Sequence, residues 1–197
     1  IASEDEDFVG LAKKIVKKET NPYLQAKMIY EYMLENFAVT KKLRKPGSEI
    51  KDLLEDKKGD SYDFAIVYTT LLRALKIPCL PVAGILVDSD MRAFSHWWSE
   101  FYIENFGWIP VDIALGSGLE YKSFKNVEDP KTFYFGNIDS QHIIFSRGYN
   151  EVKPTLSGGH IVSRDRTFAV QSIWEESSAG TVNYSSLWNE PVIAGVY

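Results

Sequence analysis

Up to Leu75 apolar residues recur at intervals of three and four, and beyond Pro78 the interval shortens towards alternation. Ser3-Glu4-Asp5-Glu6 has the form of a capping box that opens a helix, and Phe8, Leu11, Ala12, Ile15 and Val16 follow on one face. Asn21-Pro22 pairs a cap residue with a proline at the first helical position. It predicts a second helix whose buried face is Leu24, Met28, Ile29, Met33 and Phe37. Lys45-Pro46-Gly47-Ser48 reads as a turn, and Ile50 to Leu54 as a short helix. After the polar run Lys57-Lys58-Gly59-Asp60-Ser61, the residues Phe64, Ala65, Tyr68, Leu71, Leu72 and Leu75 predict a central helix apolar on most sides. Ile77-Pro78 ends it.

The second half predicts strands. Leu80 to Val87 is rich in β-formers, with Gly84 as a bulge. Ser95 to Glu104 and Gly107 to Ile113 are joined at Asn105-Phe106-Gly107, which gives an antiparallel hairpin. A loop-rich stretch runs to Phe135, and Ile143 to Ser146, Thr167 to Trp174 and Val192 to Val196 are further strands. Helices first and antiparallel strands afterwards is the α+β layout, with the buried central helix packed on the sheet. No repeat or shift of composition divides the chain, so residues 1–197 are expected to form a single domain.

Composition narrows the function. A net charge of -5 without a basic stripe argues against a nucleic-acid partner. No apolar run is long enough to span a membrane. Three His and one Cys without ligand spacing argue against a structural zinc site, the scattered acids form no calcium loop, and no cofactor is expected. A lone cysteine, Cys79, excludes an internal disulfide and is expected to fill core. The chain opens at Ile1 rather than Met, which suggests a processed product and leaves an exported origin open.

Three positions stand out as chemistry. Ser61 opens the most buried helix, His96 lies near the start of a strand, and Asp112 lies in the strand paired with it. The turn near Asn105 and Gly107 falls midway between His96 and Asp112, so folding there brings imidazole and carboxylate together. An imidazole held by a carboxylate near a helix N-terminus is an arrangement that activates a nucleophile. His142 and His160 carry no comparable signal: the first lines a pocket at most, and the second sits by Gly158-Gly159 in a loop.

These segments resemble a known family. Gly59-Asp60-Ser61-Tyr62-Asp63-Phe64-Ala65 with Leu71-Leu72-Arg73-Ala74-Leu75-Lys76-Ile77-Pro78 resembles the nucleophile signature of the transglutaminase-like superfamily, a papain-related scaffold. His96-Trp97-Trp98-Ser99-Glu100-Phe101-Tyr102 and Gly107-Trp108-Ile109-Pro110-Val111-Asp112 resemble its histidine and aspartate strands. Phe133 to Asp139, then His142 to Gly148, resembles a stretch that follows the core in bacterial members. The resemblance implies acyl transfer from an amide to water or to an amine, through a cysteine nucleophile, a histidine that moves the proton and an aspartate that orients it. By position these are Ser61, His96 and Asp112, so the chain departs from the pattern at the nucleophile.

That departure changes the chemistry. A helix N-terminus and a neighbouring imidazolium can hold a resting thiolate, but a serine hydroxyl ionises far above that range. Serine needs concerted proton removal and a well-aimed oxyanion hole, one donor of which is expected from the backbone N–H of Ser61. The favoured expectation is a pseudoenzyme-like domain without thiol-type activity that binds a peptide or protein segment in its cleft. The alternative is an acyl-transfer hydrolase or transglutaminase using Ser61, or a native cysteine altered to serine there. Trp97, Trp98 and Trp108 are candidate substrate-binding surfaces by stacking. Because neighbouring strand residues face opposite sides, one of Trp97 and Trp98 is expected in the core and the other at solvent or cleft.

Overall fold

The computed structural model describes residues 3–42, 50–148 and 191–195. Along the chain these form α1 (Glu6–Val16), α2 (Pro22–Asn36), β1 (Ala38–Val39), α3 (Ile50–Asp56), β2 (Lys58–Gly59), α4 (Ser61–Ala74), β3 (Cys79–Val87), β4 (Ala93–Ile103), β5 (Gly107–Val111), α5 (Ile113–Gly116), α6 (Pro130–Phe133) and β6 (His142–Arg147). The expected α+β architecture is the one found. Four antiparallel strands run in the order β5-β4-β3-β6, and β1 and β2 make a separate two-residue parallel pair. None of the helices is long and apolar enough to cross a membrane among the described residues.

α4 is the centre of the molecule. Every residue of it except Tyr62 and Arg73 is buried. Such a helix needs its first amides satisfied internally, and Asp60 and Asp63 do this reciprocally. The Asp63 N–H donates to the Asp60 carboxylate at 3.1 Å, and the Asp60 N–H to the Asp63 carboxylate at 3.1 Å. One side of α4 packs with α1 and α2 through Phe64, Val67, Tyr68, Leu71, Phe8, Ile29 and Met33. The side against the sheet meets Trp97, with Ala65, Ile66 and Ala83 around it. There Ser99 of β4 donates to the Ala65 carbonyl at 3.0 Å and lies 3.3 Å from the Thr69 hydroxyl, so a buried polar stitch ties helix to strand.

Several elements differ from expectation. α1 is capped by Asp5, which accepts from the Asp7 N–H, rather than by a box starting at Ser3. The buried face of α2 is Ala26, Ile29, Tyr30 and Met33; Leu24 is exposed, because the helix rolls to seat Tyr30 against the ring of Phe135. Strand β5 ends at Val111, so Ile113 starts the turn of helix α5 instead of ending a strand. Residues 192–195 have no strand pairing. The turn at 45–48, the strand at 167–174 and His160 lie outside the described residues.

One local reading holds: Asn105 and Gly107 both have positive φ, 67° and 90°, in the hairpin turn between β4 and β5. A second is displaced to the partner strand: the β3–β6 register does shift at Gly84, but Ala83 pairs with Ser146 and Gly84 with Ile144, so the extra residue is Phe145 of β6.

Candidate active site

His96 and Asp112 are in direct contact, with Nε2 of the ring 2.5 Å from Oδ2 of the carboxylate. The hairpin produces this meeting: Ser99 pairs with Val111 across β4 and β5, and Asp112 follows one step beyond the last pair. Leaving the strand there, Asp112 also becomes the N-cap of α5 and takes the Leu115 N–H on Oδ1 at 2.9 Å. Both side chains are buried, His96 at 2% exposure and Asp112 at 0%. Because Nε2 faces the carboxylate, Nδ1 is the nitrogen of His96 left for a reacting group.

Ser61 is the first residue of α4 and is buried. The next residues along the chain, Tyr62 and Trp97, meet edge to face with ring centres 5.7 Å apart, so the start of α4 adjoins the part of β4 that carries His96. Among the described residues Ser61 hydrogen-bonds neither His96 nor Asp112; imidazole and carboxylate are joined, and the hydroxyl is not.

A third group belongs to the cluster. Nε2 of His142, the first residue of β6, lies 3.0 Å from the same Asp112 Oδ2, and its Nδ1 lies 2.8 Å from Oδ1 of Asp139. Asp139 in turn accepts from the hydroxyls of Tyr121 at 2.7 Å and Tyr134 at 2.9 Å. Far from lining a pocket at most, His142 joins the buried carboxylate of Asp112 to the partly exposed one of Asp139. The available signal was the Asp139-x-x-His142 spacing within the stretch resembling bacterial members; its partner Asp112 stands thirty positions earlier.

Electrostatics follow this geometry. Burial works against ionisation of Asp112, but His96 and His142 more than offset it and hold the carboxyl well below the usual carboxylate range. Burial likewise disfavours the charge on His142, yet its bonds to Asp112 and Asp139 raise it to about 9. Asp139 is opposed by burial and lowered by His142 to about 2.

His96, Asp112 and His142 each offer a donor atom within 4.8 Å of the others, a group compact enough to consider for a cation. Within that group His96 Nε2 and Asp112 Oδ2 lie closer together than two ligands of one tetrahedral zinc, which stand roughly 3.3 Å apart given metal–ligand bonds of about 2.0 Å.

Of the proposed stacking residues, Trp97 and Trp98 are both buried, at 1% and 0% exposure. They do face opposite sides of the sheet, but the far side is also covered, because His142 lies edge to face on Trp98 with ring centres 5.0 Å apart. Solvent exposure of either is thus corrected, while Trp98 lies on the His96 side of the sheet, its ring stacked on that imidazole with centres 6.1 Å apart. Trp108 is exposed and packs against Tyr102. A cavity of about 640 Å³ lies along residues 123–141 and borders Asp139 and Gln141, but none of Ser61, His96 and Asp112 lines it.

Cys79 has no part in the site. It is buried, its sulfur lies 3.6 Å from the Thr69 hydroxyl, and burial pushes the thiol up to about 12. Native protein is expected to resist iodoacetamide at about pH 8, where an ordinary thiol reacts. Intact-mass measurement checks this, and prompt single alkylation would contradict the closed packing around Cys79.

Relatives bear on the whole. A protein of Haemophilus influenzae, itself uncharacterised, is 26% identical over 162 residues, covering 68% of this chain and 44% of its own length. The chain thus spans less than half of that relative. The periplasmic domain of TgpA from Pseudomonas aeruginosa is 22% identical, with a TM-score of 0.48, covering 59% of this chain and 48% of that one. The same domain bound to ethylmercury is 24% identical, with a TM-score of 0.47 and coverages of 54% and 43%. The family model of the transglutaminase-like superfamily matches residues 9–113, more than half of the chain, from α1 to the residue after Asp112. The chain belongs to the transglutaminase-like superfamily.

Proposed function

We propose that this domain holds an extended peptide or protein segment in a groove at the start of α4, and that it does so without thiol-type catalysis. Ser61, His96 and Asp112 are the site residues, and Trp108 is the aromatic available to the bound chain. The observation that carries the reading is the state of Ser61: among the described residues its hydroxyl makes no hydrogen bond to His96, although Nδ1 of that ring is not the nitrogen that meets Asp112. A serine nucleophile depends on an imidazole poised to take its proton. The helix end, which would favour a thiolate, cannot create a resting alkoxide.

A second reading is acyl transfer by Ser61, to water or to an amine. The buried His96–Asp112 couple favours it, since a carboxylate fixing an imidazole is the apparatus of general base catalysis. Hydrogen bonds to the nucleophile can also tighten when substrate is bound.

An activated acyl-donor peptide separates the two. Binding without turnover predicts saturable association and no mass increase on Ser61. An adduct on the Ser61 peptide that vanishes in His96→Ala would replace the first reading by the second. Absence of both association and adduct would dispose of the groove altogether.

A further inference from the structure

Each ring nitrogen of His142 faces a carboxylate: Nε2 stands 3.0 Å from Asp112 and Nδ1 2.8 Å from Asp139. Neither carboxyl needs a proton of its own. Asp112 Oδ1 is met by the Leu115 N–H, and Oδ2 by the two imidazoles. Asp139 Oδ1 takes the Gln141 N–H at 3.0 Å beside the His142 ring, and Oδ2 takes two tyrosine hydroxyls. With both carboxyls as acceptors, both nitrogens of His142 must donate, and the ring is an imidazolium.

We propose that His142 is a positioning residue for the His96–Asp112 couple, a fixed buried cation that holds the Asp112 carboxylate in place and shares its charge. This deepens the reading of the site given above and rests on it. The groups that face His142 are Asp112 at the end of β5, Asp139 before β6, the His96 ring on β4 at 5.8 Å and the Tyr134 ring after α6 at 6.3 Å. The two carboxylates and the His142 cation leave a single negative charge over the cluster. Without the cation the same site would carry two. The carboxylate can then orient His96 while part of its charge is met from the other side. The raised proton affinity of His142 agrees with a ring charged at neutral pH.

Two measurements decide it. In the unaltered protein at about pH 7, a ¹H–¹⁵N spectrum of the His142 ring should show both nitrogens protonated. A single N–H there overturns the proposal, and this measurement needs no variant to fold. The second uses Ser61→Cys to place a thiol beside the couple, with and without His142→Gln. Glutamine keeps an N–H for Asp112 but removes the charge. Loss of a nearby cation disfavours every deprotonation around it, so the pH profile for alkylation of the introduced thiol should move upward by about one pH unit. A purely structural role would lower the rate without moving the profile, and that result also overturns the proposal. A thiol inert at every pH in the Ser61→Cys variant would sink the reading of the site in the preceding subsection instead, with the ring spectrum still deciding the state of His142.

Discussion

Gly84→Ala is expected to destabilise the protein by about 3 kcal/mol or more and to loosen β6 from the sheet. Gly84 pairs with His96 on one side and with Ile144 on the other, at the point where the β3–β6 register shifts. A Cβ there would lie 1.9 Å from the Ile143 carbonyl oxygen and 3.1 Å from the Trp98 ring. The first neighbour is backbone and the second is a buried indole, so neither can swing aside as a flexible side chain does. Relief has to come from moving the backbone of β6, the strand that carries His142. Stability and site therefore fail together. A lowered denaturation midpoint with faster amide exchange at residues 142–147 is the expected result. A variant as stable as its parent, with those amides still protected, would show that the sheet absorbs the methyl group.

Asp112→Ala is expected to cost about 3–5 kcal/mol, the usual consequence of removing one member of a buried charged set and stranding the rest. Three donors lose their acceptor at once: both imidazoles and the Leu115 N–H. The pH dependence provides a finer check. The folded state holds the proton on His142 more tightly than the ordinary value of 6.5, so the stability it adds is full below that pH and disappears as pH rises through about 9. The shift corresponds to about 3 kcal/mol between neutral and alkaline conditions. Asp112 and Asp139 work in the opposite sense. Their folded values are depressed, so their contribution is present above the ordinary carboxylate range and disappears only in strong acid. Denaturation followed from neutral to alkaline pH should thus show a falling limb, and Asp112→Ala should flatten it by removing a principal partner of His142. An equally steep alkaline limb in the variant would mean that another group titrates there.

The parts of the fold legible in the sequence were those governed by neighbours along the chain. Asn21-Pro22 begins α2 with cap and proline where expected, and the amide bonds to Asn21 are made. Asn105 and Gly107 turn the hairpin for reasons contained in their own backbone preferences. The meeting of His96 with Asp112 followed from that turn, since a hairpin converts position along the chain into position in space. Misread elements were settled by distant partners. Which side of α2 is buried depends on Phe135, far along the chain. His142 reaches Asp112 only because β6 crosses back beside β3, opposite β5 in the strand order. Trp98 is buried because that same crossing sets His142 on its ring. Local pattern carries none of these long-range adjacencies.

The hydroxyl of Ser99 lies between the Ala65 carbonyl and the Thr69 side chain, in the interior and away from solvent. Breaking that junction exposes three polar groups to an apolar interior, so α4 and β4 should open to hydrogen exchange as one cooperative unit and not separately.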